Sequence, residues 1–84
     1  MIVRMVEMAA YPEAHQDLVD WACAVGVPEL ERHLDHVSSE IFTSADNRLV
    51  VISRWRSTPV TLADPPNHWL RSPAHSWDFS PVDR

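Results

Sequence analysis

The run of residues 49–56 constrains the fold of this chain more than any other segment. It has the pattern of a β-strand in which Val50 and Ile52 point to one face and Leu49 and Val51 point to the other. Both faces of this strand therefore need to be buried. A chain of 84 residues buries only about two-thirds of the surface that its unfolded form exposes. The sequence therefore predicts a sheet that helices cover on one side and that a second copy of the chain covers on the other.

Composition excludes several classes of protein. The chain has 7 basic and 12 acidic residues, a formal net charge of −5 and no basic cluster, so nucleic acid is not an expected partner. No apolar run approaches the ~18 residues that cross a bilayer. The N-terminus begins at once with a strand pattern and lacks the layout of a signal peptide. We therefore expect a cytoplasmic protein with a single domain over residues 1–84.

The scarcity of cysteine and glycine limits the chemistry further. Cys23 is the only cysteine, so no disulfide can form within the chain. Gly26 is the only glycine, which excludes the glycine-rich loops that hold the phosphates of nucleotide cofactors. His33 and His36 have a spacing compatible with metal binding on a helix, but no complete set of about four ligands stands near them. We therefore expect neither a cofactor of this kind nor a metal.

Strand and helix patterns alternate along the chain. Four segments have the pattern of β-strands: residues 2–10, 37–43, 49–56 and 74–80. Between the first two, a helical stripe begins at Glu13 and ends at Gly26, and Pro28 opens a second short turn. Between the last two, prolines interrupt residues 57–66, and a short helix then runs to about Arg71.

This order, β-α-β-β-α-β, is the ferredoxin-like arrangement of an α+β protein, with a four-stranded antiparallel sheet and helices on one face. The other face is still apolar, and large exposed apolar patches mark interfaces. We therefore predict a homodimer in which two sheets face each other.

Arg4 and Glu7 in the first strand are either cross-strand charges or polar groups that line a cavity. Asn47, in the loop before the third strand, can adopt a left-handed conformation without glycine.

Several motifs resemble those of the antibiotic-biosynthesis monooxygenase family of dimeric α/β barrels. The resemblance covers most of the chain, and it is carried by the opening strand and by Ser39-Glu40-Ile41-Phe42-Thr43, Val50-Val51-Ile52-Ser53-Arg54-Trp55-Arg56-Ser57 and Trp69-Leu70-Arg71-Ser72-Pro73-Ala74-His75. In this family, a third strand that ends in Trp and Ser leads into a helix that ends in a Ser-Pro-His-like step. The resemblance implies a small cofactor-independent monooxygenase, or a related cyclase-type tailoring enzyme, that acts on an aromatic polyketide in secondary metabolism.

The chemistry that this resemblance implies uses no flavin, metal or haem. In the quinone-forming members the phenolic substrate itself gives an electron to molecular oxygen, and the protein binds the rings, favours the phenolate and stabilises the oxygen-derived anion. Such a site needs aromatic walls, a base or cation near the phenol, and a dry cavity.

Two alternatives to this enzyme remain open. The first is a dimer of the same fold that binds a small ligand or a partner without reacting. The second is a haem-binding or haem-degrading relative. It ranks last, because the position of the iron-ligating histidine in that branch corresponds here to an aromatic residue near Phe79.

Three residues are candidates for catalysis under the monooxygenase hypothesis. His75 is the first choice as an acid–base group, because histidine titrates near neutral pH and could take a phenol proton. His68 is the second choice. Either histidine could instead be a polar residue without a chemical role. Arg54 could hold a phenolate or superoxide, with a salt bridge at the dimer interface as the alternative.

Aromatic residues are the candidates for binding the rings of the substrate: Trp69, Trp55, Tyr11, Trp21 and Trp77. Trp69 and Trp55 are the first choices. The alternative is that the tryptophans anchor the core or the dimer interface and that Tyr11 packs where the helix begins. Oxygenation, cyclisation and simple binding all need an aromatic-lined cavity with one or two polar groups, so the sequence leaves these three activities open.

Overall fold

The computed structural model describes residues 1–84 and contains one four-stranded sheet. Its strands are β1 (Ile2–Ala9), β2 (His36–Thr43), β3 (Arg48–Trp55) and β4 (His75–Phe79). They lie in the order β2-β3-β1-β4, and each neighbouring pair is antiparallel. All four predicted strands are present. Their order is that of the ferredoxin-like arrangement, so the predicted α+β fold class is confirmed.

The helical layer is a continuous run of turns between β1 and β2. It consists of a 3₁₀ turn at Pro12–Ala14, helix α1 (His15–Trp21), a π-helical turn at Ala22–Gly26 and helix α2 (Val27–Glu31). None of these helices has both the length and the hydropathy that a membrane crossing requires.

The prediction that the first helix ends at Gly26 is wrong, because Gly26 has ordinary helical angles (φ −62°, ψ −57°). Pro28 has no N–H to donate to the preceding turn. The backbone accommodates this with a wider turn, in which the Val27 N–H donates to the Ala22 carbonyl. Gly26 leaves room for packing instead, since a Cβ at this position would lie 2.9 Å from the ring of Trp21, and one of the two would have to shift.

The second predicted helix is replaced by a single 3₁₀ turn at Asn67–Trp69. Residues 57–66, which we call the crossover segment, contain neither helix nor strand. The prolines interrupt this segment as predicted. The turn that follows it ends at Trp69 because Leu70 is extended (φ −95°, ψ 133°) and forms a bridge with Ala10. The crossover segment is attached to the rest of the chain by Leu62, which is buried and belongs to the hydrophobic core.

The sheet has a covered face and an open face. The helix-side face contributes the largest fully buried side chains of β1 and β3 to the core: Met8, Leu49, Val51 and Trp55. The open face carries the alternate positions, and its apolar residues are Val3, Met5, Phe42, Val50, Ile52, Trp77 and Phe79. Of these, Phe42, Trp77 and Phe79 are 49%, 42% and 51% exposed. The alternation predicted for residues 49–56 is therefore confirmed, and the second face of the sheet is apolar and uncovered in the single chain.

The hairpin loop between β2 and β3 depends on Asn47, which has a positive φ of 65°. Its N–H donates to the Ser44 carbonyl at 3.2 Å. A left-handed conformation costs most residues about 1–2 kcal/mol and costs asparagine less. We expect Asn47→Ala to lower the free energy of unfolding by about 1 kcal/mol, and Asn47→Gly to leave it nearly unchanged. Urea unfolding of the two variants measures this difference, and equal losses would show that the backbone angle is not the cause.

Candidate active site

A small cleft lies between the sheet and the crossover segment. Val6 and Met8 of β1 line it from the sheet, and Leu62 and Pro65 line it from the crossover segment. Its volume is ≈ 120 Å³. The polar residues around it are Thr61, Asp64, His75 and Ser76. We call this space the helix-side cleft. It offers apolar surface to a ring and a few polar groups that could fix the orientation of that ring.

An ion pair lies further along the helix-side face. Arg4 is two residues before Val6 in β1, and its guanidinium donates to both carboxylate oxygens of Asp78 in β4, at 2.7 and 2.9 Å. This hydrogen bonding holds the pKa of Asp78 below its usual range and raises the pKa of Arg4. Of the two roles considered for Arg4, a cross-strand charge and a cavity-lining group, the structure shows the first.

The Arg4–Asp78 pair makes the stability of the chain sensitive to acid. The pKa of Asp78 is lower in the folded chain than its unfolded value of about 3.9, so its ionised form stabilises the fold above that pH. The contribution is lost as pH falls through the folded pKa. We therefore expect Asp78→Asn to flatten the pH dependence of the unfolding free energy below about pH 4. Urea unfolding at several pH values measures this dependence.

Asp83→Asn, in the exposed C-terminal tail, is the matched control for this experiment and should leave the acid slope as it is in the natural chain. The effect of Asp78→Asn near neutral pH should be small, because an exposed ion pair is screened by solvent. Equal acid slopes in the natural chain and Asp78→Asn would contradict the prediction.

A second cleft of ≈ 400 Å³ lies on the open face, near the end of β1. It is lined by Glu7, Ala9, Arg48, Arg71, Ser72 and His75, and we call it the edge cleft. Arg48 pairs with Glu7 at 3.6 Å and with Asp46 at 2.9 Å. Hydrogen bonds from the Ser44 hydroxyl and from Arg48 hold the pKa of Asp46 below its usual range. The edge cleft is therefore polar, in contrast to the helix-side cleft.

Three of the predicted site residues lie on the open face of the sheet. The His75 ring stacks on Trp77, with ring centroids 5.8 Å apart and an interplanar angle of 27°. Arg54 forms an ion pair with Glu40 of the neighbouring strand. His75 lines both clefts, whereas Arg54 and Trp77 line neither. The structure therefore places His75 at both clefts, and it places Arg54 and Trp77 on the apolar face away from them.

The other predicted tryptophans belong to the opposite side of the sheet. Trp55 is fully buried, and its indole N–H donates to the Ser53 hydroxyl at 2.8 Å. Trp69 and Trp21 are partly buried and pack against the core. None of the three lines the helix-side cleft. The structure therefore does not bring these aromatic residues together with His75 in one cavity.

Tyr11 and His68 are at the surface. The Tyr11 N–H donates to the Trp69 carbonyl at 3.0 Å, so its backbone connects the start of the helical layer to the 3₁₀ turn. The His68 and Trp69 rings are 6.1 Å apart, and neither residue borders a cleft. The two metal-spaced histidines both lie beside Trp55, with ring centroids 6.4 Å away for His33 and 5.2 Å away for His36, and His33 is exposed.

Sequence reasoning missed the polar residues of the helix-side cleft. Thr61 and Asp64 are exposed residues of the crossover segment, where no periodic pattern indicates which side chains border a cleft. Ser76 could have been found, because alternation in the last strand puts it on the face opposite His75 and Trp77. That face of β4 is the one that meets the cleft.

Comparisons with known proteins agree with this fold. No family model matches the chain, and no curated protein matches its sequence. Rv0793 from Mycobacterium tuberculosis has a similar structure, with a TM-score of 0.73 at 18% identity over 99% of this chain and 96% of that one. A structure described as an antibiotic biosynthesis monooxygenase gives 0.72 at 13% identity, covering 99% and 100%. A monooxygenase from the gene ActVA-Orf6 of Streptomyces coelicolor, in complex with the ligand nanaomycin D, gives 0.71 at 18% identity, covering 99% and 88%. The resemblance predicted from the sequence is therefore confirmed at the level of the fold.

Proposed function

We propose that this chain is a small cofactor-independent monooxygenase that oxidises a phenolic, polyketide-type aromatic metabolite, and that it acts as a homodimer. The observation that carries the proposal is the helix-side cleft, an apolar space with a few polar groups in a fold shared with proteins described as monooxygenases. One of those proteins binds nanaomycin D. A cleft between the sheet and the layer that covers it is also a place where a flat ligand can be shielded from water.

The size of the helix-side cleft implies that the crossover segment moves when substrate binds. Its volume of ≈ 120 Å³ is below the range of about 300–1,000 Å³ that is usual for ligand pockets. The crossover segment lacks helix and strand, and Leu62 and Pro65 are its buried residues along this cleft. Displacing it therefore breaks few interactions, and a bound ring would replace the apolar contacts that Leu62 loses.

The proposed reaction converts a phenol and molecular oxygen into a quinone and water. The phenol loses its proton, and the electron-rich ring gives electrons to oxygen. One oxygen atom then forms a bond to the ring carbon opposite the phenol. That carbon loses its hydrogen and becomes a carbonyl, and the second oxygen atom leaves as water with two protons. The substrate is the only reductant, so this balance requires no flavin or metal.

Asp64 is the proposed acceptor of the phenol proton. It is the only carboxylate that lines the helix-side cleft, and the hydroxyls of Thr61 and Ser76 are available to orient the oxygen atoms of the substrate. His75 remains the second candidate, because it borders the same cleft although its ring stacks on Trp77. Arg54 is assigned to the dimer interface, where it pairs with Glu40.

Removing the acid–base group should slow turnover strongly. We expect Asp64→Asn to lower turnover by about 10²–10⁴-fold, the usual contribution of general acid–base catalysis. Oxygen uptake with 1,5-dihydroxynaphthalene, in which the ring carbon opposite each hydroxyl carries a hydrogen, together with quinone absorbance, measures the rate. Asp83→Asn in the exposed tail is the matched carboxylate control and should react like the natural chain. If His75→Ala loses turnover and Asp64→Asn does not, the proton acceptor is His75.

A second candidate function is retention of an aromatic ligand without reaction. The mainly apolar contribution of Val6, Met8, Leu62 and Pro65 to the helix-side cleft favours it, since such a lining binds a ring without acting on it. The same dihydroxynaphthalene distinguishes the two functions. Faster oxygen consumption in air with the protein than without it supports the monooxygenase, whereas saturable binding without oxygen consumption supports the binding protein.

A further inference from the structure

The edge cleft exists because the pairing along β1 is interrupted. β4 pairs with β1 up to the Glu7–His75 position, and a separate bridge joins Ala10 to Leu70. Residues 72–74, between these two points, have no partner in the sheet. They leave a gap at the sheet edge, and the edge cleft opens at this gap on the open face. The cleft is thus a consequence of the path of the backbone.

Arg71 brings a positive charge without a carboxylate partner to this cleft. Its guanidinium donates to the Asp46 backbone carbonyl at 2.8 Å and forms no ion pair. Arg48, which lines the same cleft, is already paired with Glu7 and Asp46. A guanidinium has several N–H donors in a planar fork. Arg71 therefore has donors available for an anion, whereas those of Arg48 are largely occupied.

The charges around the cleft favour a singly charged anion. Glu7 lines the cleft itself, so a phosphate dianion would be repelled by it more strongly than a carboxylate would be. A carboxylate also matches the planar, bidentate geometry of arginine. The ligand class that fits Arg71 beside Glu7 is therefore a carboxylate.

An aromatic surface adjoins these charges. His75 lines the cleft, and its ring is backed by Trp77, on which it stacks. A flat ring attached to the carboxylate would find an aromatic partner there, in an offset or tilted stack. The two features together select an aryl carboxylate over a simple carboxylate such as acetate.

We propose that the edge cleft binds a carboxylate attached to a flat aromatic body, with Arg71 donating to the carboxylate and the ring of His75, which is backed by Trp77, contacting the aromatic body. This site is on the opposite face of the sheet from the helix-side cleft. Its test measures binding and needs no turnover. Binding at the edge cleft can therefore be found when the proposed oxygenation is absent, and oxygenation can be found when this binding is absent.

The test is a titration of the chain with naphthoate, followed through the backbone amide and arginine side-chain signals in NMR spectra. We expect saturable shifts at Arg71 and Ser72. Arg71→Gln should weaken binding by about tenfold to a hundredfold, the usual effect of losing a charge-assisted hydrogen bond. Naphthamide, which has the same shape and no charge, should bind more weakly than naphthoate by a similar factor. Binding should also weaken as salt is raised.

Arg56→Gln is the matched control, because Arg56 also donates to a backbone carbonyl, that of Leu34, and lies outside the edge cleft. It should leave the affinity for naphthoate unchanged. The proposal is overturned if naphthoate does not bind, if naphthamide binds equally well, or if Arg71→Gln binds naphthoate as the natural chain does. Shifts confined to Val6, Met8 and the crossover segment would also overturn it, because they would place the ligand in the helix-side cleft.

Discussion

Replacing Trp55 by alanine is expected to remove about 3–5 kcal/mol from the free energy of unfolding, the usual cost of truncating a buried aromatic side chain. Trp55 is fully buried in the core. Its loss would also leave the Ser53 hydroxyl, which now accepts the indole N–H at 2.8 Å, without that partner in a buried position. A chain of this length has a total stability of roughly 5–12 kcal/mol, so the substitution removes a large fraction of it.

Thermal and urea unfolding, followed by far-UV circular dichroism, measure this loss. We expect the melting temperature of Trp55→Ala to fall by more than about 10 °C. Trp55→Phe retains a buried ring and should lose less than the alanine variant. Leu34→Ala is the control for truncating an apolar side chain, because Leu34 is 92% exposed, and its effect should stay within about 0.5 kcal/mol. A loss of similar size in Trp55→Ala and Leu34→Ala would mean that Trp55 does not anchor the core.

The role of Trp55 also shows what the sequence can decide about a residue. The alternation of residues 49–56 predicts the face on which Trp55 lies, and the structure confirms that face. The same alternation cannot show whether a side chain on that face meets a cavity or closely packed neighbours. That depends on the helices and on the crossover segment, which lie far from Trp55 in sequence. The strands and their faces were therefore predictable, and the position of the cleft was not.

The errors in the helical regions have local physical causes. Glycine usually ends a helix because of its conformational freedom. At Gly26, however, the helix continues through a π turn that compensates for the N–H missing from Pro28. In the crossover segment the prolines predict an interruption correctly, but they do not predict what replaces the helix. Asp64, in this segment, lines the helix-side cleft.

The predicted site residues also lie apart from one another for local physical reasons. His75, Trp77 and Arg54 share the open face by simple alternation in β4 and β3. Trp69 is placed by the 3₁₀ turn, whose position depends on contacts such as the bond between the Tyr11 N–H and the Trp69 carbonyl. Residue type alone suggested one aromatic site. The strand parity of His75 and Trp77 was already in the sequence, and it points them away from the helical layer.

Placing a charge at the centre of the open face is expected to separate the proposed dimer into folded protomers. Ile52 lies between Met5 of β1 and Glu40 of β2 on this face. Within one protomer, an arginine at this position would have a carboxylate as cross-strand neighbour, so the fold should persist. In a symmetric dimer, Ile52→Arg would bring two additional charges into the buried interface. An uncompensated buried charge costs about 3–5 kcal/mol, which corresponds to a rise in Kd of roughly a hundredfold to several thousandfold.

Analytical ultracentrifugation over a range of protein concentrations measures this shift, and circular dichroism checks that the protomer remains folded. Leu34→Arg introduces the same charge at an exposed apolar residue that is not on the sheet, so it should sediment as the natural chain does. A natural chain that is monomeric at tens of micromolar, or an Ile52→Arg variant that associates as tightly as Leu34→Arg, would contradict the dimer. In either case the exposed Phe42, Trp77 and Phe79 would require a different partner.

If Ile52→Arg dissociates and still binds naphthoate, the edge cleft is complete within one protomer. If it dissociates and loses naphthoate, the second copy forms part of that site.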